Sequence, residues 1–149
     1  MIISSHFLVT FYLSKIMGLS GIDLILAFLF GVFIDIDHFF TIMRITKNPK
    51  KIIKILFYNP DKLRLRTPIQ EPVSLILILP FSLVIRNYIP LLFWSIHILM
   101  DYLCTYEKRP FYPISKYTVK IGLIKNGTKT EWIISTLLLI ITSLFLIVR

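Results

Sequence analysis

The stretch GVFIDIDHFF (Gly31–Phe40) sets two aspartates and a histidine inside a run of Val, Ile and Phe. A run of this composition reads as helix embedded in lipid, where a charged side chain at the centre costs about 2.5–3.5 kcal/mol. Asp35, Asp37 and His38 therefore need partners of opposite charge or an ion.

The surrounding composition points the same way. Of 149 residues, 56% are hydrophobic and only 17% charged, against roughly half and a quarter in soluble domains. The expected fold class is all-α: a polytopic membrane helix bundle of about five transmembrane helices, in a single integral membrane domain over 1–149. The apolar runs place the helices at about 2–17, 21–43, 68–86, 88–106 and 129–148. The uncharged stretches are shorter than the 20 or so residues a bilayer core requires, so the flanking carboxylates are counted inside the spans. A single cysteine, Cys104, excludes an internal disulfide. The start lacks a basic region and a small-residue cleavage site, and reads as a retained first span.

Basic residues give this bundle an orientation. The segment Arg44–Arg66 holds eight Lys and Arg, and Glu107–Lys129 holds six, out of 17 in the chain. With five spans these segments share a face, which the positive-inside rule makes cytoplasmic. The expected localisation is the cell membrane, with the N-terminus cytoplasmic and the C-terminus outside. Topology then accounts for the net charge of +9, and no nucleic-acid partner is expected. PKKIIKILFY (Pro49–Tyr58) puts apolar and basic residues on opposite faces of a helix, as a basic amphipathic segment at the membrane interface does. A solvated basic loop is the plainer alternative. Membrane lipid is the expected partner; the oligomeric state is open.

On that topology His6, Asp35, Asp37, His38, Glu71, His97 and Asp101 fall at one depth. His97 and Asp101 are spaced i, i+4 and share a helical face; Asp35 and His38, at i, i+3, do likewise. Asp37 points away from Asp35 on a regular helix, and both reach one site only where the helix loosens. It is therefore either a ligand or a hydrogen-bonding neighbour. Three histidines with several carboxylates form a nitrogen-and-oxygen set suited to a divalent ion. Zn²⁺ is expected first, with Mn²⁺ or Fe²⁺ as alternatives, one or two in number. The plain alternative for each residue alone is a hydrogen bond between helices.

FIDIDHFF (Phe33–Phe40) together with HILMDYLCTYEKRPFYPIS (His97–Ser115) resembles the small membrane-bound metal-dependent hydrolases of the YdjM-like type. That pattern has a His in the first helix, a Pro-Asp-x-Asp-His block ending the second, and a Thr-His-Ser block opening the third. A His-x-x-x-Asp pair and a short loop with a proline follow. His6, Asp35, Asp37, His38, His97, Asp101 and Pro113 match in order. Ile34 stands where the family has Pro, and RTPIQEPVSL (Arg66–Leu75) replaces the Thr-His-Ser block, with Glu71 in place of the histidine and Ser74 of the serine.

The resemblance implies a metal-dependent hydrolase acting on an ester or phosphoester of a lipid-like substrate at the cytoplasmic leaflet. His6, Asp35, Asp37, His38, His97 and Asp101 would hold metal, and Glu71 would serve as general base. Arg66 and Arg109 would clamp a phosphate, though each alone also reads as an ordinary basic flank. Two alternatives stand beside this: a cation or proton pathway through the acidic cluster, and a degenerate family member holding a structural metal.

Overall fold

A computed structural model of the chain describes residues 3–48, 50–52, 68–124 and 128–148. Helix α1 (Ile3–Ile16) leads to α2 (Gly21–Gly31), a 3₁₀ turn (Phe33–Asp35) and α3 (Ile36–Ile45). Two further 3₁₀ turns (Pro68–Gln70 and Pro72–Ser74) precede α4 (Leu75–Val84), which is followed by α5 (Ile89–Tyr102). Strands β1 (Tyr106–Lys108) and β2 (Val119–Ile121) form an antiparallel hairpin before α6 (Lys129–Val148).

Among the described residues, no helix is long and apolar enough to cross a membrane. The expected transmembrane bundle, its cytoplasmic and outer faces and its localisation in the cell membrane are corrected accordingly. The reason lies in where helices break. At about 1.5 Å per residue, an 11-residue α2 and a 10-residue α4 reach only about half of the roughly 30 Å hydrocarbon core. The expected helix over 21–43 is interrupted at Val32 (φ −128°, ψ −51°), and the one over 68–86 opens with two 3₁₀ turns. The one over 88–106 gives way to the hairpin after Tyr102. Helix α6 is longest at 20 residues and buries polar side chains, Glu131, Ser135 and Thr142. The membrane-interface segment Pro49–Tyr58 falls mostly outside the described residues.

The apolar surplus of the composition lies largely on the outside. Ile22 and Ile25 on α2, Ile76, Leu77 and Val84 on α4, and Leu137 on α6 are all exposed. The buried apolar cluster is small: Ala27, Ile89 and Phe93, with Leu13, Leu19, Leu26, Phe30 and Leu92 packed against it. It joins α1, α2 and α5, which together with the 3₁₀ turn after α2 carry the polar centre described below.

Local chemistry fixes the ends of these helices. Gly18 adopts φ +65° after α1, and the Leu19 amide donates back to Ser14 O, a left-handed cap that glycine enters without steric cost. Beyond α5, the Lys108 side chain is fully buried, and its ammonium donates to the carbonyls of Tyr102, Cys104 and Ile121. A cation on the last carbonyls of a helix satisfies acceptors that lack helical partners and favours the dipole. It also ties the hairpin to the helix end that carries Asp101.

Candidate metal centre

The break in the GVFIDIDHFF stretch builds the site. In an unbroken helix the amide of Asp35 would donate to Gly31 O; here it donates to Val32 O at 3.3 Å. The Gly31 carbonyl is thereby released, and His97 Nδ1 lies 3.0 Å from it. A carbonyl only accepts, so Nδ1 carries the proton and Nε2 is turned towards the centre. Asp35 stands at the N-cap position of α3 but makes no capping bond. Its Oδ1 instead accepts from Gln70 Nε2 at 3.0 Å.

Four predicted residues converge around the two imidazoles. His6 Nε2 lies 3.2 Å from Asp101 Oδ1 and 3.9 Å from Asp35 Oδ2. His97 Nε2 lies 3.3 Å from Asp35 Oδ1 and 3.7 Å from Asp101 Oδ2. The two rings stack, with centroids 4.0 Å apart and planes 15° apart. Both histidines and Asp101 are buried; the Asp35 side chain, at 10% exposure, forms the most open side.

His6, Asp35 and His97 form a group able to hold a metal ion, with one ligand atom from each lying within 4.8 Å of the others. The donor set fits a divalent cation: imidazole nitrogen and carboxylate oxygen, with no thiolate. The surroundings of His97 Nε2 support the fit, for it is buried 3.3 Å from Asp35 Oδ1 yet makes no well-aligned hydrogen bond.

Electrostatics make the centre attractive to cations. Burial works against charging His97, yet the adjacent Asp35 and Asp101 carboxylates lift its pKa to about 9. Burial and the neighbouring His97 hold His6 below its ordinary value. For both aspartates burial acts upward, but nearby positive charge, foremost His97 beside Asp35, and the hydrogen bond between His6 and Asp101 keep them below the usual carboxylate range. Two ionised carboxylates in a buried cluster leave charge for an ion to neutralise.

The other predicted residues lie elsewhere. Glu71 is buried, and its Oε2 accepts from Tyr102 OH at 2.8 Å while its Oε1 accepts from the Arg109 amide at 3.0 Å. Both contacts tie the start of α4 to the end of α5 and the strand that follows. Arg109 enters this pattern through its backbone. Ser74 Oγ accepts from Trp94 Nε1 at 2.9 Å. Asp37 and His38 are in α3, their side chains outside the described set, and Arg66 lies outside the described residues. The sequence reading missed Gln70 and the Gly31 carbonyl. A glutamine next to a candidate acid was the signal for the first; a carbonyl freed by a helix break has no signature in residue types.

No protein-family model, curated protein or solved structure matches the chain.

Proposed function

We propose that the chain is a metal-dependent hydrolase of an ester or phosphoester, with its ion held by His6, Asp35, His97 and Asp101. The observation that carries this is the turning of two buried histidine Nε2 atoms onto two carboxylates, of which Asp35 is the more open. Zn²⁺ is the ion the donor set favours, with Mn²⁺ and Fe²⁺ next. When bound, such an ion supplies Lewis acidity and makes water nucleophilic near neutral pH.

The chain's own residues do the positioning. Gly31 O holds the His97 tautomer that leaves Nε2 to the ion, a partnership common behind metal-binding histidines. Gln70 fixes the Asp35 carboxylate at the open side, where a substrate approaches. Lys108 and Glu71 hold the end of α5, and with it Asp101, against the hairpin and the start of α4.

The burial of His6 and His97 favours one second reading, a closed structural metal that only stabilises the fold. Elemental analysis of purified protein, paired with chromogenic carboxylic and phosphoric ester substrates, separates the two. Turnover abolished by chelation and restored by Zn²⁺ or Mn²⁺ supports the hydrolase. Bound metal whose removal lowers the melting temperature, with no turnover on either class, supports the structural site. Absence of bound metal after reconstitution, in wild type as in His97→Ala, overturns both.

A further inference from the structure

We infer that the centre holds two divalent ions bridged by Asp35 and Asp101, and that its substrate is a phosphoester. This rests on the metal-centre proposal and extends it. Each aspartate shares its two oxygens between the two histidines. Asp35 turns Oδ1 to His97 (3.3 Å) and Oδ2 to His6 (3.9 Å). Asp101 turns Oδ1 to His6 (3.2 Å) and Oδ2 to His97 (3.7 Å). Each imidazole nitrogen thus faces one oxygen from each carboxylate. Ligand atoms on a shared tetrahedral ion, at bonds of 2.0–2.2 Å, stand roughly 3.3 Å apart, close to these four separations.

Ring geometry favours two ions over one. An imidazole binds a metal along the lone pair of its nitrogen, in the plane of the ring. His6 and His97 are stacked with planes only 15° apart and centroids separated by 4.0 Å. Near-parallel stacked rings have no point in front of both nitrogens that lies in both planes. One ion in each plane meets the requirement, and the ring separation matches the roughly 3.5–4 Å between ions of two-metal sites. The arrangement is nearly two-fold: one terminal histidine per ion and two carboxylates across the pair.

The spacing selects the substrate. A phosphoryl group offers two anionic oxygens that span a pair of ions about 4 Å apart, where the attacking and leaving oxygens of an in-line displacement are both stabilised. A neutral carboxylic ester offers a single carbonyl oxygen and gains little from the second ion. The Asp35 side chain, 10% exposed, is the most open of the four, so the phosphoryl group enters there.

Titration of the metal-free full-length chain with Mn²⁺, followed by calorimetry and electron paramagnetic resonance, tests the nuclearity. Saturation at two ions per chain, with a spin-coupled spectrum replacing the six-line signal of isolated Mn²⁺, is the expected result. His6→Ala then retains a single uncoupled ion at His97. Saturation of wild type at one ion with an uncoupled spectrum overturns the two-ion centre while leaving the hydrolase proposal standing; no binding removes both. Inorganic phosphate is the probe for substrate class. It should bind the loaded chain and not the metal-free chain, and absence of binding to the loaded chain overturns the phosphoester assignment.

Discussion

His97 and Gly31 meet through a hydrogen bond that exists only because a helix fails. Its Nδ1 lies 3.0 Å from a carbonyl that the α2 helix has released, so the backbone irregularity and the imidazole orientation are one structural event.

Stability of the metal-free chain should peak near neutral pH. His97 has a pKa of about 9 in the folded state against 6.5 when free, so its contribution is complete below 6.5 and disappears as pH rises through 9. The shift corresponds to something on the order of 3 kcal/mol. His6, held below 6.5, acts in the opposite sense, and its contribution is lost as pH falls. Urea midpoints measured in chelator should drop between about pH 6.5 and 9.5, and a flat profile in His97→Gln would assign the drop to this residue.

Metal affinity should climb over the same range. His97 must shed a proton before Nε2 can bind, so protons compete with the ion below pH 9. Apparent affinity is expected to rise about tenfold per pH unit from 7 to 9 and then level off. Calorimetry in buffers of different ionisation enthalpy would also count the released proton. Constant affinity across this range would mean that His97 is not a ligand.

Gly31→Ala should be costly at a position where alanine normally favours a helix. An added Cβ would lie 2.5 Å from Thr10 Oγ1 and 3.3 Å from Phe93 Cδ1. A loss of about 1–3 kcal/mol is expected from overpacking. Thr10→Ala in the same chain should recover much of it, a non-additivity readable in a double-mutant cycle of denaturation midpoints.

Gln70 and Glu71 are adjacent but should behave differently. Gln70→Ala unties Asp35 Oδ1 and should weaken metal binding by about 10–100-fold. Glu71→Gln leaves the Arg109 amide or the Tyr102 hydroxyl poorly matched, and should cost about 1–3 kcal/mol of stability while metal stoichiometry is kept. Equal loss of metal in both variants would place Glu71 in the centre after all.

The centre was more legible than the fold around it. His97 and Asp101 share a helical face wherever α5 is put, and His6 and Asp35 were conspicuous as charged or polar residues in apolar surroundings. Those identities survive a wrong solvent assignment, because a buried ionisable group needs partners in protein as in lipid. The helices expected over 21–43, 68–86 and 88–106 were misjudged because hydropathy measures what a segment contains and not where it bends. Val32 to Asp35 is as apolar as a continuous helix would be, yet a 3₁₀ turn interrupts it there. Lys108 was counted among basic flanks, although it is fully buried against backbone carbonyls. The hairpin around it depends on Gly122 at φ +146°, where a Cβ would meet Cys104 O, and no pattern of alternating residues announces that contact.

Positions 6 and 97 are 91 residues apart, and Asp35 between them comes from a third element, the 3₁₀ turn after α2. An ion or ion pair held by both His6 and His97 would be a reversible cross-link joining α1 to α5 across the small apolar cluster at Phe93. Unlike a disulfide, it would leave the unfolded ensemble unrestricted, because the site exists only in the folded chain. Its stabilisation would instead grow with the logarithm of the ion concentration above the dissociation constant, so loading and folding would be linked.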